Sequence, residues 1–461
     1  MIRFSVPDQQ ATPGVDTRPG PLRAWLSGLP YVDSENTAQR VIERLRDLNH
    51  QLLPAAQRLP LLAAFRQSYE RLHDALRDLN RPPDAFAPTE AAALLTDFTE
   101  AMAFGYKYAL REAMANPPRW GRSRLLAETA NYTFSFLALL QLCRYQSYLP
   151  VPGSSWREIG DLVRFAETEA LGITRDAAFP YSRGELQILS GYRQLAILRL
   201  ADPYRLPGGL VWEAYGYLGG KIGTSQLLGH CADPEAVGVY GLPLDHEPHQ
   251  TVQAPTSGVH RSSWRWLDAR ELLRIVQQDL DRLSAGAPPQ CLGFSARLTS
   301  GDAAQLLRRM LGQWTHSPQR KSPRVAGTLD VTLAPGLDAA YYFINGCAAF
   351  DPADFAPLED EDDIDYSSHV RRSAGVAQQD FRLVACQTRN RSGGGLALHL
   401  DALHDLNLRV GQLVLMDLPD APPGAAHDWL LGIVRWRVGG EDASPEVGLQ
   451  YVARNAVPVA A

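Results

Sequence analysis

Two short segments of this 461-residue chain carry side chains that together could grip a small anionic ligand. The first is Arg320-Lys321-Ser322-Pro323-Arg324, an RxxxR spacing preceded by Gln319. A guanidinium presents a planar fork of donors to phosphate oxygens or to guanine O6 and N7, and its face stacks on a base. Pro323 stiffens the loop. The second is Asn390-Arg391-Ser392-Gly393-Gly394-Gly395, with NxSxxG spacing. Asn390 and Ser392 supply short polar side chains, and the glycines let backbone N–H groups come close to a ligand. The chemistry is recognition of a compact dianionic dinucleotide, with no bond broken. Arg320, Arg324, Asn390, Ser392 and Gly395 are the candidate contacts. Gln319, Lys321, Arg391, Gly393 and Gly394 are additional candidates beside them.

Other signals fit poorly. Gly219-Gly220-Lys221-Ile222-Gly223-Thr224 has Ile222 where a phosphate-binding loop needs Ser or Thr, and it follows a helix pattern and not a strand. His230, Cys231, His246, His249 and His260 have no metal-site spacing. The acidic run Glu359-Asp360-Glu361-Asp362-Asp363-Ile364-Asp365 lacks the glycine and spacing of a calcium loop and reads as solvated. No nucleophile elbow is present. No catalytic residue and no metal is assigned, and the chain is expected not to be an enzyme.

The candidate segments must be positioned by the elements around them. After Trp314 the pattern is one of short strands: Val325 to Leu333, Phe381 to Gln387, Leu396 to Leu400, Leu413 to Leu418, Trp429 to Arg437 and Val447 to Ala453. Several antiparallel strands in so short a stretch predict a small barrel or sandwich. RxxxR stands immediately before the first strand, and NxSxxG lies between two later ones. From Ser34 to about Leu218 the apolar residues instead recur at helical spacing, as in Ala38, Val41, Ile42, Leu45 and Leu48. Ser34 is the expected N-cap of that helix, and the segment from Arg124 to Tyr148, apolar on most sides, is expected at the centre of a bundle. Further helices are expected over Gly184 to Ala201, Leu267 to Leu283 and Ala303 to Trp314.

The two motifs, in this order and with Gly432-Ile433-Val434-Arg435-Trp436 and Val447-Gly448-Leu449-Gln450-Tyr451-Val452 after them, resemble the PilZ domain, a receptor module for cyclic di-GMP. The resemblance covers about residues 314–459. It implies a six-stranded antiparallel β-barrel that binds cyclic di-GMP, with Arg320 and Arg324 on the guanine faces and phosphates. Asn390, Ser392 and Gly395 would take the opposite guanine edge and the ligand backbone. Many family members carry arginine where this chain has Gln319, which leaves open one or two ligand molecules per site. The stretch 334–380 stands as an insertion between the first two barrel strands.

The expected architecture is therefore multi-domain α + β: a tail over 1–20, a bundle-like helical module over 21–218, a mixed connecting region with two helices over 219–313, and a PilZ barrel over 314–461. The implied activity is that of an effector passing the second-messenger level to a protein partner bound by the helical module, through a ligand-dependent domain rearrangement. The rival is an interaction protein whose barrel has lost its ligand. Residues 311–461 hold 12 Lys and Arg against 19 Asp and Glu, a local charge of −7, so individual arginines and not the overall field must attract a dianion. The whole chain, at −6 and with a pI near 6.0, does not point to nucleic acid or to an anionic membrane as a partner. Thr129 to Cys143 is too short to cross a bilayer. The five cysteines (Cys143, Cys231, Cys291, Cys347 and Cys386) are scattered, as in a reducing compartment, and a cytoplasmic location is expected. Nothing here sets the oligomeric state, and a homo-oligomer is compatible with it. Cyclic di-GMP is a ligand in this reading, and no cofactor is assigned.

Overall fold

The computed structural model describes residues 2–11, 13–77, 89–248, 263–315, 323–348, 381–399, 408–418, 429–439, 445–454 and 456. The chain forms two compact units, one ending at Gln319 and one starting at Arg320.

The first unit is mainly helical: α1 (Pro19–Ser27), α2 (Ser34–His50), α3 (Ala55–Leu76), α4 (Glu90–Ala115), α5 (Arg122–Gln146), α6 (Gly153–Thr168), α7 (Ile188–Leu200), α8 (Leu210–Gly219), α9 (Arg270–Ser284) and α10 (Ser300–Thr315). A hairpin, β1 (Thr174–Asp176) with β2 (Gly184–Leu186), lies between α6 and α7. Strands β3 (Gln226–Leu228), β4 (Val239–Pro243) and β5 (Trp264–Asp268) form a small antiparallel sheet in the order β3-β5-β4. Helix α2 is capped by Asp33, whose carboxylate accepts from the Asn36 N–H, and not by Ser34. Helix α5 is buried on nearly every side, as its uniform apolarity requires, and its Phe136 packs on Tyr69, Tyr106 and Phe179.

Two local expectations differ from the structure. The segment 184–201 begins as strand β2 and turns helical only at Ile188, whose N–H donates to Oδ1 of the buried Asn131. The N-terminal residues, expected from their prolines and charges as a loose tail, are held along the helices. The peptide unit of Ser5 donates to Glu158 and accepts from Lys107, and the Tyr108 hydroxyl donates to the Pro7 carbonyl. Lys107 and Glu158 are themselves a buried ion pair at 2.6 Å. Such a pair needs extra hydrogen bonds to offset its desolvation, and Ser5 provides two. Composition alone could not reveal that partner.

The second unit contains β6 (Val325–Ala326), β7 (Asp330–Pro335), α11 (Leu337–Ile344), β8 (Val384–Ser392), β9 (Gly395–His399), β10 (Leu413–Asp417), β11 (Leu430–Val438) and β12 (Glu446–Arg454). The order β8-β7-β10-β11-β12-β9, with β9 pairing back onto β8, makes a closed six-stranded antiparallel barrel. Strand β6 adds to the outer end of β8. Val331, Leu333, Leu398, Val414, Val434 and Val447 fill the interior, following the two-residue alternation of their strands. The expected single strand Val325 to Leu333 is broken at residues 327–329. Of the expected insertion, the first part carries α11, whose Ala339 and Ala340 pack against Leu415. Residues 349–380, with the acidic run, lie outside the described residues.

Candidate ligand-binding site on the barrel

The candidate residues are positioned by two β-bulges. Along β8, Cys386 and Thr388 point into the barrel and are buried. Thr388 pairs with Leu398 and Asn390 with Ala397, so Arg389 is an extra residue. One extra residue reverses the alternation of a strand. Asn390 and Ser392 thus leave the interior face that Cys386 and Thr388 occupy. Strand β11 does the same at Arg435, because Val434 pairs with Leu449 and Trp436 with Gly448. The two shifts create one row of directly paired residues across the outer surface: Ala326, Asn390, Ala397, Gly448 and Trp436. Four of these five side chains are short or absent, and a Cβ on Gly448 would overlap the Trp436 indole. The row is a platform of small side chains that the Trp436 indole covers at Gly448, next to the buried Ala397.

A neighbouring row holds Ser392, Gly395 and Gln450. The Ser392 hydroxyl donates to the Gly395 carbonyl at 3.1 Å and accepts from the Gly394 N–H at 3.4 Å, which closes the Gly393-Gly394 turn. Gly395 also has a packing task. A Cβ there would overlap the Leu449 carbonyl oxygen, so the absent side chain lets β9 close against β12. The Tyr451 N–H donates to the Gly394 carbonyl across the same seam.

Arg324 is exposed and directly precedes β6. Val325 pairs with Arg391 and Ala326 with Asn390, so Arg324 arrives beside the Ser392 turn. Thr388 holds this arrangement from inside the barrel. Its hydroxyl donates to the Gly327 carbonyl at 2.8 Å and accepts from the Leu329 N–H at 2.9 Å, and its own N–H donates to the Leu329 carbonyl. These bonds pin the break between β6 and β7. Gln319, Arg320 and Lys321 lie outside the described residues. Thus one arginine of RxxxR is seen next to NxSxxG, and the other precedes it by four residues in the chain.

Sequence reasoning missed Thr388 and Trp436. Glycines inside strand patterns, Gly432 and Gly448, were the available signal for a close approach, but the bulges that set the register have no signature in one sequence. Burial pushes the Cys386 thiol up to about 12, so it is a neutral core group and not a nucleophile. Among the described residues no three His, Cys, Asp or Glu side chains gather as metal ligands, and His230, Cys231 and His246 form no such group. His249 and His260 lie outside the described residues.

Comparison with known proteins bears on the same surface. Residues 364–457, which include β8, NxSxxG and all later strands, match the PilZ domain model. The barrel is a PilZ domain. The matched segment starts after β6 and β7, and strand pairing joins those two strands to it in one sheet. Residues 20–227 match a second model, described as the N-terminal domain of the cyclic-di-GMP receptor FimW. The whole chain is similar to the cyclic-di-GMP receptor FimW of Pseudomonas aeruginosa, at 24% identity across 99% of this chain and 81% of that protein. No described helix is long and apolar enough to cross a membrane.

Proposed function

We propose that this chain is a cyclic di-GMP effector in which the PilZ barrel binds the second messenger and the helical unit passes the signal to a protein partner. The observation that supports the reading is the pairing of β6 with β8, which brings Arg324, the last residue of RxxxR, beside NxSxxG although about 65 residues separate them in sequence. In this reading Arg320 and Arg324 clamp guanine faces and phosphates. Asn390 and Ser392 take a guanine edge from the platform, with Gln319, Lys321, Arg391, Gly393 and Gly394 around them, and Trp436 borders a base. Gly395 acts through barrel closure. The similarity to a cyclic-di-GMP receptor along nearly the whole chain supports the ligand. No catalytic step is part of the proposal, and the site of action is the cytoplasm.

The relay has a physical route. Helix α10 ends at Thr315 and is anchored in the helical unit by Trp314, whose indole N–H donates to the Ile197 carbonyl and whose own carbonyl accepts from the Tyr240 hydroxyl. Only residues 316–323 separate that anchor from Arg324. A loop ordered by ligand therefore pulls on a fixed helix end. The shift in domain arrangement is bounded by the ligand's differential affinity for the two arrangements, about 5- to 150-fold for 1–3 kcal/mol. Hydrogen exchange on the full chain, with and without cyclic di-GMP, checks this. Protection is expected over 316–326 and 388–396, together with a change at the end of α10. Protection confined to the barrel would remove the relay and leave the receptor.

A further inference from the structure

The loop joining α4 to α5 is unlike the rest of the helical surface. Residues 115–124, Ala-Asn-Pro-Pro-Arg-Trp-Gly-Arg-Ser-Arg, are all exposed, and the Trp120 side chain is 90% exposed at their centre. Single exposed aliphatic residues are ordinary, but a tryptophan wholly in water is not. Between Glu112 and Glu128 the chain carries Arg119, Arg122 and Arg124 and no acid. Pro117 and Pro118 restrict the backbone on the approach to the tip.

A second turn stands beside this loop. The buried Asn131 of α5 donates to the Gly172 carbonyl and to Thr174 Oγ1, and Arg122 pairs with Glu169 at 3.1 Å. The same turn exposes Ile173, half in water, and Arg175, whose nearest acid is Glu185 at 4.0 Å. This part of the helical unit thus exposes Trp120 and Ile173 together with four arginines, of which Arg122 and Arg175 pair with Glu169 and Glu185 and Arg119 and Arg124 flank Trp120 in the chain. Both ion pairs are solvent-exposed and screened, so they hold the arginines weakly.

We propose that this tip is an interfacial anchor that seats the helical unit on an anionic lipid surface. An indole, with an apolar body and one N–H, settles at the headgroup level of a bilayer. Arginines near an anionic leaflet add attraction that decays within a Debye length, so local arginines act even on a chain whose net charge is −6. The shape favours lipid over protein. A stable protein contact needs about 800 Å² from each partner, which a protruding nine- or ten-residue tip with two apolar side chains does not offer. A lipid interface accepts a protruding tip as it is.

The test is co-sedimentation of the full chain with vesicles of 70% phosphatidylcholine and 30% phosphatidylglycerol, against pure phosphatidylcholine vesicles, at about 50 mM and about 300 mM salt. The wild type is expected to bind the anionic vesicles at low salt and to release at high salt. Trp120→Ala is expected to weaken binding about tenfold. Arg119→Gln with Arg122→Gln and Arg124→Gln should weaken it by about a hundredfold. All four substitutions fall on exposed loop or first-turn positions, and circular dichroism checks that the fold persists. Absence of wild-type binding at low salt overturns the proposal. So does binding that Trp120→Ala leaves unchanged, which would indicate diffuse electrostatics. If vesicles are not bound but Trp120→Ala abolishes association with a purified protein partner, the tip is a protein-docking site and the lipid assignment is wrong.

Discussion

Removing both guanidiniums of the RxxxR loop, by Arg320→Ala with Arg324→Ala, is expected to lower cyclic di-GMP affinity by about a hundredfold or more while leaving unfolding unchanged. A hydrogen bond to a charged group is worth about 1.5–3 kcal/mol, or roughly ten- to a hundredfold in affinity. The two arginines would share one ligand, so their effects need not add. Nothing in the surrounding field can substitute for them, because the stretch 311–461 carries −7. Arg324 is exposed, and truncation of an exposed side chain usually stays within about 0.5 kcal/mol of neutral. Titration calorimetry for affinity and urea unfolding for stability separate the two effects. Unchanged affinity in the double variant would remove these arginines from the site.

Gly395→Ala is expected to act in the opposite manner, through the fold. The added methyl would overlap the Leu449 carbonyl oxygen and crowd the Gln450 Cα at 3.2 Å, both of them backbone atoms that no rotamer change can move aside. Forcing atoms into a packed contact typically costs about 1–3 kcal/mol. The cost falls on the seam between β9 and β12, where the barrel closes. The expected result is faster hydrogen exchange of amides in β9 and β12 of the full chain, with α4 and α5 unaffected. Weaker ligand binding would follow, because the Ser392 turn starts from the same seam. Ser392→Ala should weaken binding without loosening β12. Wild-type exchange in Gly395→Ala, combined with lost ligand binding, would return Gly395 to a direct ligand contact.

The barrel was legible because period-two alternation and turn residues are local signals. Strands β9 to β12 lie within a residue of the expected runs, whereas β8, expected over 381–387, starts at Val384 and runs on through Asn390 to Ser392. The break at residues 327–329 was not legible, since it depends on Thr388, a residue far along the chain whose hydroxyl reaches Gly327 and Leu329. The same holds for Trp436. Its place on the platform follows from an extra residue at Arg435, and a bulge is decided by strand pairing, not by composition. Among the helices the amphipathic ones were clear. Helix α8, Leu210–Gly219, with apolar residues on most of its surface and glycine at its end, was absorbed into an undivided helical stretch. The N-terminal residues were misread because their partners, Lys107 of α4 and Glu158 of α6, are a buried pair that only the tertiary fold brings together. The candidate site itself was legible as two motifs. That they meet was an implication of the family resemblance, and the pairing of Val325 with Arg391 brings Arg324, the end of the first motif, beside the second.

Titration of the full-length wild type with cyclic di-GMP by calorimetry tests the central claim most directly. A saturable heat with a dissociation constant in the micromolar range or tighter is expected, and its stoichiometry would distinguish one bound molecule from a pair, the point at which Gln319 departs from the arginine of many relatives. The heat should vanish in the Arg320→Ala, Arg324→Ala double variant. No saturable heat up to about 100 μM ligand, or about −5.5 kcal/mol of binding free energy, from a protein shown to be folded would contradict it. The chain would then be an interaction protein that keeps a PilZ barrel without its ligand.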